Sequence, residues 1–434
     1  MLSTLIQKMK QEENSKKIKF VVFSAGFLLI LYNFVFFVGR NAVDVPFWDQ
    51  WSIVEILAKK ASLWELFQYQ HNEHRIGVGL IIIKFLAIIS HWSQILEIKF
   101  VSLLMISSSL VILFLKRSIS KKIEILDLII PLLFLNIFQF ENIDWGFQIS
   151  FILPLFFFCL WLAVLRIKNT KKRNAAFSTL SLMSAYSSFH GLILPVITIG
   201  HIAYDFFRKK SGKIGNLLFF VFLNISIIGS YFINYKRIFQ PASFPGVSKK
   251  SIEYFSLAVS NGFLYPKEYS LISYFLLIIT LFILAIALYE IFIKKKWHMN
   301  LVVGASSIAF ALAFISIITV GRSSLGAAQA LASRYVTFAL LIPIGIFFIF
   351  SQYKRGVYLK LALIFFLTYN VVFLTSPIRS YTKMVTIGKQ EALDCYKTSP
   401  PSKYKKCFRI FALYPDEELI SKLIPKVFKI KKLF

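Results

Sequence analysis

Acidic residues are scarce in this chain. Its 434 residues hold 21 Asp and Glu against 50 Lys and Arg, and charged residues make up only 16% of the whole. A chain so poor in charge, and 57% hydrophobic, cannot hide its apolar surface in a water-soluble fold. Cysteine is nearly missing too, with three residues. Cys159 lies inside a hydrophobic run and reads as inert packing. Cys395 and Cys407 lie in a polar C-terminal stretch. They pair as a disulfide if that stretch faces an oxidising space and stay free thiols if it faces the cytoplasm. The G-x-x-x-x-G-K-[ST] phosphate loop is absent, as are the Gly-rich dinucleotide motif and the G-x-S-x-G elbow, which excludes a direct NTP engine and the commonest hydrolase. There is no soluble nucleotide-sugar domain, no internal repeat and no low-complexity tract. No inverted pair of broken helices, the mark of many secondary transporters, stands out.

What is there is hydrocarbon. Mean hydropathy is +0.67, and several segments carry close to 20 consecutive apolar residues, enough to span a bilayer. Long helical runs rather than short alternating ones exclude a β-barrel. The chain reads as an all-α polytopic membrane protein with about 11 transmembrane helices, at about 18–38, 96–115, 124–140, 147–166, 175–189, 191–207, 215–234, 271–292, 300–319, 336–351 and 357–375. The first run is long and lacks a small-residue cleavage pattern, so it reads as a retained helix and not as a cleavable signal peptide.

The net charge of +29 would suggest nucleic acid in a soluble protein. Here the cations sit in short blocks between apolar runs, so membrane topology accounts for them, with anionic lipid headgroups as counter-ions. Lys16-Lys17, Lys116-Arg117, Lys121-Lys122, Lys171-Lys172-Arg173, Arg208-Lys209-Lys210, Lys294-Lys295-Lys296 and Lys354-Arg355 are all expected on the cytoplasmic side, with the N-terminus. Residues 76–90 are apolar but short, with Lys84 in the middle. A full crossing there would flip every later block outward, so a juxtamembrane or re-entrant helix is expected. Residues 50–69 read as a second, interfacial helix, with Trp48, Trp51 and Trp64 at headgroup depth. The expected organisation is a transmembrane region over 1–375 and a polar, basic tail over 376–434, translocated to the outside. Outer loops cover 39–95, which carries the juxtamembrane helices, and 235–270, which contains the turn signal Gln240-Pro241-Ala242-Ser243-Phe244-Pro245-Gly246.

Under this topology the polar clusters converge on the outer face. Trp48-Asp49-Gln50-Trp51 offers Asp49 as a general base, its surroundings dried by aromatic flanks, or as a helix cap; Asp44 is the competing carboxylate. His71-Asn72-Glu73-His74-Arg75 suits metal binding through His71, His74 and Glu73, recognition of sugar hydroxyls by His, Asn and Glu, a phosphate fork through Arg75, or a solvated turn. It is not the H-E-x-x-H zinc pattern. Glu141, Asn142, Asp144 and Gln148 crowd a short link between two helices, and a buried Gln148 would need a partner that a polar ligand can supply. Arg322 and Arg334 bracket a third outer loop, as anchors or as grips on a lipid phosphate. His190, in Ser188-Phe189-His190-Gly191, reads as mostly structural.

The order of these features resembles bacterial glycosyltransferases of the GT-C superfamily. An early acidic site (Asp44 or Asp49) follows the first helix, juxtamembrane helices follow in the same loop (50–69 and 76–90), and a second acidic site follows the third crossing (Glu141 and Asp144). The pairing of Trp-Asp-Gln-Trp with His-Asn-Glu-His-Arg is similar to that of one branch of these proteins. Where the better-known members carry Asp-Glu, this chain has Asp49-Gln50. The resemblance covers roughly the first 210 residues. It implies inverting transfer of a sugar from a polyprenyl-phosphate donor to an envelope glycan or lipid acceptor. Asp49, Asp44 or Glu73 would act as the catalytic carboxylate. Arg75, Arg322 or Arg334 would stabilise the departing phosphate. His71, Asn72, His74, Glu141, Asp144 and Gln148 would bind substrate. A divalent metal is compatible with this set and not required by it. The alternatives are a glycolipid transporter or flippase, whose polar groups would line a path at mid-membrane, and an envelope polysaccharide polymerase or ligase, whose site would sit in late, long outer loops.

Overall fold

Hydrocarbon offers backbone N–H and C=O groups no partner except one another, so long apolar runs fold as helices. The computed structural model describes residues 2–59, 61–209, 214–236, 246–266, 271–353 and 355–433. It is almost entirely helical, with a single two-stranded hairpin among the described residues. Ten described segments are long and apolar enough to cross a membrane, so the chain is an all-α, multi-pass integral membrane protein.

The first helix, α1 (Leu2–Asn41), leads into short helices α2 (Val54–Ala58) and α3 (Leu63–Phe67), the hairpin β1 (Gln70–His71) and β2 (His74–Arg75), and α4 (Gly77–Ser90). Then come α5 (Gln94–Ser120), α6 (Ile129–Phe134), α7 (Phe140–Ile143), α8 (Ile149–Val164), α9 (Thr170–Ala185), α10 (Ile193–Lys209) and α11 (Ile214–Tyr231). The second half holds α12 (Lys249–Gly262), α13 (Leu271–Leu288), α14 (Met299–Arg322), α15 (Ser333–Ala339), α16 (Leu341–Phe350), α17 (Gly356–Thr398), α18 (Tyr404–Ile410) and α19 (Glu417–Leu433).

Ion pairs and hydrogen bonds between helix ends sort the chain into two faces. At one face Lys116 of α5 lies 3.7 Å from Asp127, Lys360 of α17 lies 3.6 Å from Glu124, and Arg173 of α9 pairs with Asp205 of α10. At the other, the amide of Gln94 donates to Asp44 (2.7 Å), Lys389 meets Asp144 (2.9 Å), and Glu73 meets Arg322 (3.0 Å). The first is the basic face and the second the site face. Helix α9 is too polar to rank as a span by hydropathy, yet it runs between the same two faces. Its buried stripe Ser178, Ser181 and Ser184 is satisfied by Asn224 Nδ2 (2.9 Å), Thr198 Oγ1 (3.0 Å) and the Gly191 carbonyl (3.1 Å). Such pairing is how polar residues are tolerated at membrane depth.

Helix α4 begins and ends at the site face. At its start the Val78 amide donates to the Tyr186 carbonyl (2.9 Å), and just past its end Trp92 Nε1 donates to Glu97 Oε1 (2.9 Å), on the first turn of α5. It therefore lies along the face and does not cross, as the sequence suggests. The expected helix over 50–69 is instead broken into a 3-10 turn (Trp48–Ile53), α2 and α3. Trp51 is not interfacial but buried at 2% exposure. The expected span at 124–140 is interrupted at Asn136, whose side chain accepts from the Phe138 amide (2.9 Å), while Gln139 Nε2 caps the freed Phe134 carbonyl (2.6 Å). The last expected helix does not stop near 375. Helix α17 runs on to Thr398, 43 residues in all, and the tail folds back through α18 and α19 onto the site face, closed by a Cys395–Cys407 disulfide. Most of the 240–246 turn signal lies outside the described residues, as do Lys210 and Lys354.

Candidate functional site

Local packing first fixes the Trp48–Trp51 turn. The Phe47 amide donates to Gln50 Oε1 (3.1 Å), and Gln50 Nε2 donates to the buried Glu97 Oε2 (2.6 Å). Gly146 completes this nest, because a Cβ there would come within 2.4 Å of Glu97 Oε2 and 2.9 Å of Gln50 Nε2. With Gln50 and Trp51 turned inward, Asp49 is left facing water with 35% of its side chain exposed. The Gln at the second position of the motif is thus a scaffold residue.

The His-Asn-Glu-His run is a β-hairpin in which His71 pairs directly with His74. Asn72 occupies its turn at φ +49°, a left-handed position that Asn tolerates better than most residues. Cross-strand partners project from the same face of a sheet, so both imidazoles enter one space. The hairpin is tethered from behind. Tyr231 and Tyr235 hydroxyls donate to the Glu73 carbonyl (3.0 and 3.1 Å). Arg75 is buried, with Nε on the Tyr231 carbonyl (2.6 Å), Nη1 on the Gln68 carbonyl (2.7 Å) and Nη2 on the Ile233 carbonyl. Three of its N–H groups are held by backbone carbonyls, so Arg75 braces the hairpin from behind.

Two acid–imidazole pairs result. His71 Nε2 lies 3.7 Å from Asp49 Oδ1, and His74 Nε2 lies 3.5 Å from Glu73 Oε1. The tautomers follow from the partners. Ser52 gives its hydrogen to the Asp49 carbonyl (2.6 Å) and so accepts from His71 Nδ1 (3.0 Å). That leaves Nε2 of a neutral His71 as an acceptor toward Asn72 Nδ2 (3.2 Å) and the cavity. His74 Nδ1 accepts from the Phe189 amide (3.2 Å), so its proton sits on Nε2 and points at Glu73. Ser188 Oγ lies 3.2 Å from His74 Nδ1 and 3.0 Å from His190 Nδ1 and gives its hydrogen to His190, whose Nε2 donates to the Phe151 carbonyl (3.1 Å). Burial holds the His74 imidazole below its ordinary proton affinity, and neighbouring Glu73 works against that.

Opposite stand the arginines. Arg322 Nη2 lies 3.0 Å from Glu73 Oε1. Arg334 is steered by Glu141, whose Oε2 accepts from Ser333 Oγ (2.8 Å) and the Arg334 amide (3.0 Å). Asp49, His71, Asn72, Glu73, His74, Gln148, Arg322 and Arg334 all line one polar cavity of about 270 Å³. An apolar groove of about 470 Å³ adjoins it, walled by Phe189, Phe314, Ile317, Ile318 and Val320, and shares Glu73, His74, Phe151, Arg322 and Tyr335 with it. Gln148 makes no side-chain bond among the described residues, and the Ser150 hydroxyl beside it is buried without a partner.

Three of the acids singled out in the sequence stand apart. Asp44 Oδ1 accepts the Gln94 amide at the start of α5, and its Oδ2 pairs with Lys431 (2.8 Å). Glu141 is occupied by the start of α15. Asp144 is buried against Lys389, burial pushing its carboxyl up and Lys389 opposing. Neither Glu141 nor Asp144 lines the cavity. Among the described residues no three His, Cys, Asp or Glu side chains converge on a point where a metal ion would sit. Sequence reasoning passed over Glu97 and gave Ser188 and Tyr335 no role of their own; a Glu with a Trp five residues before it was the available signal for the first. No family model, curated protein or solved structure matches this chain.

Proposed function

We propose that this protein is a GT-C-like membrane glycosyltransferase that moves a sugar from a polyprenyl-phosphate donor to a hydroxyl of an envelope glycan or lipid acceptor. The observation that carries this reading is the junction of a polar cavity bearing two carboxylates and two guanidinium groups with an apolar groove, the two sharing Arg322 and Glu73. A substrate with a sugar, a phosphate and a long hydrocarbon chain matches that sequence of surfaces. In the reaction the acceptor O–H proton passes to Asp49, and the oxygen bonds to the anomeric carbon from the face opposite the phosphate. The C–O bond to phosphate breaks, and the electron pair leaves on the polyprenyl phosphate. Asp49 suits this role because no described side chain lies within hydrogen-bond distance of its carboxyl oxygens, with His71 Nε2 3.7 Å away, which leaves them open to a hydroxyl. Arg322 and Arg334 suit the developing phosphate charge.

The clustering at one face disfavours a transporter, whose polar groups would line a central path. A disulfide persists in oxidising compartments. The Cys395–Cys407 bond, in a tail that packs on the site loops, therefore supports an exported site and a cytoplasmic basic face, as the Lys/Arg blocks do. The test is incubation of purified protein with a panel of polyprenyl-phosphate sugars and acceptors, followed by mass spectrometry of released polyprenyl phosphate. Asp49→Asn serves as the inactive control. Release from no donor overturns the reading.

A further inference from the structure

The disulfide closes a loop that carries Lys397, Lys403, Lys405 and Lys406, with Arg409 just beyond; all five are exposed. No acidic residue occurs between Asp394 and Asp416. Asp394 is held by Gln390 Nε2 (3.0 Å) and Asp416 caps α19 through the Leu419 amide (2.9 Å). None of the five cations is ion-paired among the described residues. The knob is rigidly founded: Cys407, Tyr396 and Tyr404 are buried beneath it, the two rings 5.2 Å apart. It is also wired to the site. Phe411 stacks on Phe47 at 6.1 Å, and the Leu413 carbonyl accepts the amide of Trp48, the residue before Asp49 (2.8 Å).

Clustered unpaired cations repel one another and persist where they meet an anion. A lipid headgroup is the wrong partner on geometric grounds. Helix α17 starts at the basic face and has 43 residues, about 63 Å at ~1.5 Å per residue. A bilayer with its headgroups is about 40–45 Å thick. Lys389 of α17 already meets Asp144 at the site face, and Lys397 lies eight residues further on, about 12 Å at ~1.5 Å per residue, beyond the ~8 Å reach of a charge at physiological salt. We propose that the Lys397–Arg409 knob is a docking surface for an anionic polysaccharide, a phosphate- or carboxylate-bearing glycan held outside the membrane. On the reading given above, this polymer is the acceptor, and its end is fed along the Phe411–Phe47 contact to Asp49.

The test uses the full chain in nanodiscs of phosphatidylcholine. Fluorescent polygalacturonate and neutral dextran of equal length are the probes. Polygalacturonate binds, weakens steeply as salt rises, and loses on the order of tenfold or more in affinity when Lys397, Lys403, Lys405, Lys406 and Arg409 are changed to Gln. Dextran does not bind. A control carrying Lys168, Lys171, Lys172, Lys295 and Arg355 changed to Gln removes the same charge from the basic face and keeps affinity. Equal loss in both variants, equal binding of dextran, or transfer of the effect to phosphatidylglycerol vesicles overturns the proposal. The readout is binding alone. Retained polymer binding without sugar transfer from any donor would sink the enzymatic reading and leave the surface standing.

Discussion

Asp49 and His71 face one another across the polar cavity with Oδ1 and Nε2 3.7 Å apart, a gap too long for a hydrogen bond. On the proposed reading, an acceptor hydroxyl placed in that gap gives its proton to the Asp49 carboxylate. Asp49→Asn is expected to lower transfer by roughly 10²–10⁴-fold, with membrane insertion and monodispersity unchanged. Polyprenyl phosphate release measures it, and retained activity would move the base elsewhere.

Arg322 holds Glu73 at 3.0 Å and lies on the boundary between polar cavity and apolar groove. Arg322→Ala is expected to cost about 10²–10³ in kcat. Arg322→Lys should recover little of it, because a point charge does not replace a planar fork. The kcat and KM of both variants decide it; full activity in Arg322→Ala would remove the residue from the phosphate site.

Burial lowers the His74 proton affinity in the folded chain relative to the unfolded one, where imidazole titrates near ~6.5. The unfolded chain then binds more protons in acid, so stability rises with pH. Stability should be flat above about pH 7 and fall below about 6.5, by no more than ~1.4 kcal/mol per pH unit and by less to the extent that water screens the ring. His74→Gln flattens that part of the profile. Thermal unfolding in detergent across pH 5–8, compared with wild type, reads it.

Lys389 and Asp144 form a buried pair at 2.9 Å, with Lys389 Nζ also 4.1 Å from the centre of the Phe47 ring. Lys389→Met alone strands a carboxylate and should destabilise by about 3–5 kcal/mol. Joining it with Asp144→Leu should restore most of the loss and retain sugar transfer. A double variant that is stable but inactive would return Asp144 to the substrate-binding set.

Cys395 and Cys407 should resist maleimide in intact membranes until a reductant is added, while Cys159, buried in α8, resists throughout. Labelling before reduction would place the tail on the reducing side and move the site with it.

The apolar runs were legible because bilayer thickness and helical rise set their length, and the basic blocks because charge is costly in hydrocarbon. Which polar residues meet was not legible, because that depends on contacts between residues far apart in the sequence. Arg75 reads as a phosphate ligand until the Tyr231 and Ile233 carbonyls absorb its donors. Gln50 reads as a departure from an acidic pair until Glu97 is found beneath it. The tail's fold was hidden for a different reason. Its apolar residues Ile420, Leu423, Ile424 and Val427 have helical spacing, but their partners lie some 370 residues earlier on α2, where Lys426 meets Glu55 at 3.0 Å.

The clamp on the Asp49 loop comes from Lys389, Leu413 and Lys431, so that loop waits for residues that leave the ribosome hundreds of codons later. A nascent chain stalled short of α17 would carry every residue lining the polar cavity and still lack the brace that sets them. Synthesis itself thus delays competence until the whole bundle is in place.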